Sequence, residues 1–188
     1  MEQKPFPGRI NGQRIYLQRH SLSLAVSMFN LIDENREHLK NMPWIGATLS
    51  VENSRSWINY TLAEWDNLSL FDYGIYLIGS EQYLGSFGVH SINWEFKNCE
   101  LGYWIGRQFQ GHGFVSEALR LIEAQCFKAG FHRVEIRCDS RNQRSAQVAL
   151  RNGYILDGEL REDVLIFGEY RNTKVFGKLH REWRAALD

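Results

Sequence analysis

Residues Gln108 to Ala118 read QFQGHGFVSEA. They lie between an apolar run of strand character, Leu101 to Ile105, and a helical run that begins at Phe114 and reaches Gly130. A strand, a turn with two glycines one residue apart, and a helix leave the backbone few routes. Gly111 and Gly113 remove side chains where the chain must turn sharply and let an anion approach the backbone. The first turn of the helix then offers unpaired N–H groups and the positive end of the helix dipole. The same pattern also fits a plain tight turn. Two familiar phosphate loops are excluded. No Gly-Lys-Ser/Thr follows, and the third glycine of a dinucleotide fingerprint would fall at Ser116, with no βαβ unit leading into the turn.

The rest of the chain reads as one mixed α/β domain. A length of 188 residues suits a single core, and 44% hydrophobic content with balanced charge is that of a globular chain. A formal net charge of zero gives no reason to expect nucleic acid or an anionic membrane as partner. No apolar run approaches the ~20 residues of a membrane span, and the N-terminal MEQKPFPGRING lacks a signal-peptide core, so a cytoplasmic location is expected. Cys99, Cys126 and Cys138 are odd in number and share no CxxC spacing. They read as reduced thiols, without a metal site.

Alternation and 3.6-residue periodicity place the elements. Strands are expected at Gly12–Gln18, Tyr73–Gly79, Tyr83–Asn93, Cys99–Ile105 and Arg133–Asp139, with three closing strands at Tyr154–Leu160, Asp163–Phe167 and Arg171–Leu179. Helices are expected from Leu22 through Lys40, ended by Pro43, and at Ser54–Trp65, Val115–Gly130 and Arg144–Arg151. Ser50, with Asn53 three residues on, can cap the second of these, and Gly130 can stop the third.

Gln108-x-x-Gly111-x-Gly113 resembles the pyrophosphate-binding motif of the GCN5-related N-acetyltransferases. Asn142-x-x-Ser145 with Leu150-Arg-Asn-Gly153-Tyr154 resembles that family's second signature, about 30 residues downstream. The element order is also that family's, and the resemblance runs from about Arg14 to Lys178. Within the family it is nearest the RimJ/RimL branch of ribosomal-protein N-terminal acetyltransferases. The carriers are Asn35-Arg36-x-x-Leu39 with Pro43-Trp44, Glu100-Leu-Gly-Tyr-Trp-Ile105, and Val148 to Ile155.

The resemblance implies acetyl-CoA as donor and a primary amine as acceptor, with direct attack and no covalent enzyme intermediate. It places the pyrophosphate on Gln110, Gly111, His112, Gly113, Phe114 and Val115, and the pantetheine arm along Tyr103, Trp104 and Ile105, where two parallel strands splay. It gives Asn142 a hydrogen bond to that arm, although an asparagine there also caps the following helix. Ser145 is the implied acid for the leaving thiolate, since the tyrosine many relatives use would fall at Ala149. The base is open. Glu100 begins the strand that leads to the cradle, and the branch's hairpin glutamate would fall at Val164, after Glu162 and Asp163. Of the many aromatic residues in the first half, most are expected in the core. Trp94 and Phe96 lie on a turn and, with Trp44, are candidates to wall the acceptor pocket.

An α-amine has a pKa near ~8, so roughly a fifth is neutral at about pH 7.5, against about one part in a thousand of a lysine amine. An uncertain base therefore favours a peptide N-terminus. A small amine (an aminoacyl-nucleotide antibiotic, polyamine or amino sugar) is the alternative, and a non-catalytic acyl-CoA binding module is a third. A homodimer is compatible with the exposed aromatic residues.

Overall fold

In the computed structural model, residues 5–186 are described. Residues 1–4, on which part of the reading of the N-terminal segment rests, and 187–188 lie outside the described residues. One eight-stranded sheet has the order β1-β2-β3-β4-β5-β6-β8-β7. Its strands are β1 (Arg9–Asn11), β2 (Ile15–Arg19), β3 (Phe71–Leu77), β4 (Tyr83–Asn93), β5 (Asn98–Ile105), β6 (Arg133–Asp139), β7 (Ile155–Ile166) and β8 (Glu169–Leu179). The helices are α1 (Ala25–Glu34), α2 (Arg36–Leu39), α3 (Val51–Asp66), α4 (Phe114–Lys128), α5 (Gln143–Arg151) and α6 (His180–Ala185). The larger core packs α4 and α5 on the sheet through Phe87, Leu101, Leu119, Ile122 and Val148. A smaller core joins α1 and α3 through Met28, Ile32 and Ile58.

Every pair in the sheet is antiparallel except β5 with β6, and that exception positions the site. The parallel ladder runs from Asn98↔Arg133 to Leu101↔Ile136 and stops. Beyond it β5 stays paired to β4, ending at Gly85↔Ile105, while β6 stays paired to β8, ending at Asp139↔Thr173. The two strands diverge, and the edge of β5 from Gly102 to Ile105 has no strand beside it.

Several expected boundaries move. The helical run from Leu22 breaks at Asn35, whose buried side chain donates to Leu31 O and accepts from Arg107 N at 2.7 Å, so that it ends α1 and pins the turn before the glycines. The first strand starts at Ile15, preceded by a short β1, because the N–H groups of Gln13 and Arg14 turn away to the Glu117 carboxylate. Ser50 does cap α3, but the helix includes Val51 to Asn53. The three expected closing strands are two. β7 runs through 161–163 as a bulge in which Arg161 to Asp163 face only Asn172, Glu162 takes φ 53°, and its N–H donates to Asn172 Oδ1. Gly130, at φ 97°, follows the last turn of α4 as expected.

Candidate active site

The split between β5 and β6 opens into a cleft of about 2190 Å³ that reaches both faces of the sheet. At one end lies the glycine turn. Gly111 and Gly113 both take φ 79°, the left-handed region where a side chain is strained. Around the Cβ position of Gly111 nothing lies within 4 Å, so the backbone there is open to a ligand. Gly113 is the N-cap of α4 and offers no side chain to the first-turn N–H groups, which leaves them available to an anion. Four guanidinium side chains, Arg14, Arg120, Arg144 and Arg151, line the same end of the cleft. They are held in place. Arg14 donates to His112 O at 2.8 Å, Arg144 to Gln110 Oε1 at 3.0 Å, and Arg151 to Ser116 Oγ at 3.1 Å. Gln110 in turn bonds the His38 ring at 2.9 Å, which ties α2, the turn and α5 together.

Glu117 anchors this end from below. Its carboxylate accepts from the N–H groups of Gln13, Arg14 and Ile15 and from Arg14 Nε. Burial alone would raise its pKa, but those hydrogen bonds outweigh burial and hold it below the usual carboxylate value.

At the split, side chains alternate between the two faces of the sheet. Tyr103 and Ser145 meet on the α4–α5 face, hydroxyl to hydroxyl at 2.9 Å. Burial pushes the Tyr103 phenol up to about 12, partly offset by its bond with Ser145. The Cys138 thiol lines the same place and is also raised, chiefly by burial, which keeps it a thiol rather than a thiolate nucleophile. Asn142 caps α5, its Oδ1 accepting from Ser145 N at 3.1 Å, and it lines the cleft.

Three residues before Tyr103, Glu100 points to the opposite face. Its Oε2 lies 3.8 Å from Arg137 Nε and 4.0 Å from His90 Nδ1. The β7 bulge brings Asp163 into the cleft wall together with Val164, while Glu162 is not part of it. Trp44, Trp57 and Tyr60 complete this end, with Trp44 5.7 Å from the Trp104 ring.

The structure thus groups Tyr103, Trp104, Ile105, Gln110, Gly111, Gly113, Phe114, Val115, Asn142, Ser145, Glu100 and Trp44 around one cleft. His112 is different. Its exposed ring stands 5.6 Å from Phe114 and outside the cleft wall, so only its backbone belongs to the turn. Trp94 and Phe96, expected beside the acceptor, do not line the cleft. Their turn joins the end of β5 farthest from the glycines, seven residue steps or roughly 23 Å from Ile105. Trp94 donates to Leu68 O at 2.8 Å and packs on Phe131, and Phe96 is 69% exposed away from the cleft. Trp57 and Tyr60 of α3, not Trp94 and Phe96, line the cleft beside Trp44. The four arginines, His38 and His90 also escape the sequence reading. Only Arg144 and Arg151, seven apart and so two turns along one face of α5, carry a periodic signal for it.

Residues 14–155 match the family described as "Acetyltransferase (GNAT) domain". The chain belongs to the GNAT acetyltransferases. It is 28% identical over 156 residues to the ribosomal-protein-serine acetyltransferase of Escherichia coli (strain K12), covering 81% of this chain and 85% of that protein. It is 24% identical over 164 residues to the putative ribosomal N-acetyltransferase YdaF of Bacillus subtilis (strain 168), covering 85% and 87%. Among solved structures, the microcin C7 self immunity acetyltransferase MccE in complex with acetyl-CoA and AMP superposes with a TM-score of 0.84 at 25% identity, over 89% of this chain and 93% of that one. The RimL ribosomal L7/L12 alpha-N-protein acetyltransferase in complex with coenzyme A, at 22% identity and a TM-score of 0.87 over 91% and 97%, shows the same fold. The protein is therefore an N-acetyltransferase of the GNAT kind, a family that uses acetyl-CoA as donor. No helix among the described residues is long and apolar enough to cross a membrane.

Proposed function

We propose that this N-acetyltransferase moves the acetyl group of acetyl-CoA directly onto the α-amine of a peptide N-terminus. One observation supports the chemistry above the others. Glu100 and Ser145 stand on opposite faces of the sheet at the point where β5 and β6 part. A thioester lying in the split would then have a carboxylate on one side and a hydroxyl on the other.

On this reading the glycine turn and the four arginines hold the phosphates, and the free edge of β5 from Gly102 to Ile105 pairs with the amide-bearing arm as an added strand would. Glu100, with His90 beside it, takes the proton of the incoming ammonium. Ser145 donates to the departing thiolate, and Tyr103 keeps the Ser145 hydroxyl oriented. Asn142 both caps α5 and presents its side chain to the arm. The α-amine is favoured because it needs less from the base than a lysine amine does, and because relatives are named for ribosomal proteins. A ribosomal-protein acceptor would also place the reaction in the cytoplasm.

A small acceptor is the second reading. Trp44, Trp57 and Tyr60 on the acceptor side favour it, because aromatic walls suit a ring or nucleobase as well as a peptide. Release of the free CoA thiol separates the two. Ser- and Ala-starting peptides, spermidine, an amino sugar and an aminoacyl-sulfamoyl adenosine are offered in turn, and product masses are measured. Turnover confined to the peptides supports the first reading. Turnover confined to the nucleoside compound replaces it with the second, and no turnover on any acceptor contradicts both.

A further inference from the structure

Among the described residues, Asp72 is the one buried carboxylate in the cleft wall; the reaction leaves it unused and it pairs with no Lys or Arg. Its side chain is 8% exposed. Trp57 Nε1 donates to Oδ2 at 3.1 Å, which fixes the carboxylate plane. His20 lies behind it, with Nδ1 3.7 Å from Oδ2, too far for a hydrogen bond. Burial, the largest influence on His20, pushes its imidazole pKa down and keeps the ring neutral. Among the described residues no Lys or Arg pairs with Asp72, although four arginines line the other end of the same cleft. A buried carboxylate with one fixed hydrogen bond and no cation is costly to maintain.

The register shows where this carboxylate points. Asp72, Gly88 and Gly102 are directly opposite one another on β3, β4 and β5, and the row ends at the split. Asp72 Oδ1 leans over Gly88, where an added Cβ would fall 3.1 Å from it. Strands are about 4.8 Å apart, so Oδ1 stands roughly 5–10 Å from the split. Trp57 and Tyr60, 45% and 52% exposed, flank the approach with ring centroids 5.5 Å apart. Exposed aromatic faces beside a desolvated carboxylate are a setting for an ammonium or guanidinium group.

We propose that Asp72, Trp57 and Tyr60 form a subsite for a second cationic nitrogen of the acceptor, roughly 5–10 Å from the amine that is acetylated. The acceptor is then a short diamine, or a peptide whose first or second side chain is Lys or Arg. The proposal rests on the acetyl-transfer reading only for which end of the cleft receives the acceptor.

The test is calorimetric binding to the CoA-saturated protein, so it does not depend on turnover. The probes are 1,5-diaminopentane against 1-aminopentane, and the peptide Ser-Arg-Ala against Ser-Ala-Ala. The wild type should bind at least one probe that carries the second cation ten times or more tighter than its mate that lacks it. Whether the diamine or the peptide shows it identifies the source of the cation. Asp72→Asn keeps the Trp57 hydrogen bond and the shape of the side chain, and should bring that ratio close to one without changing CoA affinity. Trp57→Phe, which keeps a ring but frees the carboxylate, should reduce the ratio partially. A ratio near one for both pairs in the wild type overturns the subsite, as does an undiminished ratio in Asp72→Asn. A protein that passes this test yet releases no thiol with any amine contradicts the acetyl-transfer reading and not the subsite.

Discussion

Replacing Ser145 by alanine separates a chemical role from a structural one, because the two differ in size. The hydroxyl touches two things in the structure, Tyr103 Oη at 2.9 Å and the Cys138 thiol. If it serves only to satisfy Tyr103, its loss leaves one phenol short of a partner in a place that water reaches, at a cost of about 1 kcal/mol of stability. If it protonates the departing thiolate, general-acid catalysis of about 10²- to 10⁴-fold is lost, or roughly 2.7–5.5 kcal/mol of barrier. The prediction is a fall in kcat of at least a hundredfold, a Tm lowered by a few degrees at most, and CoA affinity within about threefold of wild type. Tyr103→Phe is the control. It removes the orienting partner but leaves the acid, so kcat should fall less than tenfold. Thiol release under saturating acetyl-CoA and peptide measures kcat, and calorimetry measures CoA binding. Unchanged turnover in Ser145→Ala refutes the assignment, and so does a loss of turnover that only mirrors a loss of folded protein.

Other perturbations test the remaining parts. Gly111→Leu strains a left-handed position by about 1–2 kcal/mol and fills the open space above it, so calorimetric CoA binding should disappear while the circular dichroism spectrum is kept. Arg144→Gln and Arg151→Gln each remove a charged donor worth about 1.5–3 kcal/mol, so KM for acetyl-CoA should rise roughly ten- to a hundredfold with little change in kcat. Glu117→Gln should lower stability by about 1.5–3 kcal/mol at neutral pH. The folded-state pKa of Glu117 is depressed, so its stabilising contribution is present above the unfolded value near ~4.3 and is lost as pH falls through the folded one. Urea midpoints should therefore converge between the wild type and Glu117→Gln on acidification. Trp94→Ala, at a partly buried site, should cost about 1.5–3 kcal/mol of stability and leave acceptor preference unchanged, whereas Phe96→Ala should change neither.

What was legible in the sequence was local. Gly111 and Gly113 announce their turn because few other residues tolerate that backbone, and a capping Ser50 or a terminal Gly130 acts within one turn of helix. The β5 and α4 boundaries follow from runs that need no distant partner. What was not legible depends on contacts made across the chain. Glu117 reads as an ordinary first-turn acid until residues 13–15 arrive from the far end of the sequence. Trp94 on a turn and Trp57 on a helix invite the opposite of what is found, because composition does not say which end of β5 faces the cofactor side. The hairpin bulge that turns Asp163 inward depends on Asn172 of the neighbouring strand. Asp72 falls just before the strand expected from Tyr73, whereas in the structure it lies inside β3. Only the pairing with Gly88 and Gly102 shows that it faces the cleft.

On the proposed reading the donor lies in the split between β5 and β6 with its phosphates on the glycine turn. Amide hydrogen exchange, followed residue by residue with and without acetyl-CoA, tests it most directly. Exchange should slow at Tyr103 to Ile105 and at Gly111 to Val115, and stay unchanged in the turn from Asn93 to Asn98. Protection confined to that far turn, or none along β5, would contradict it.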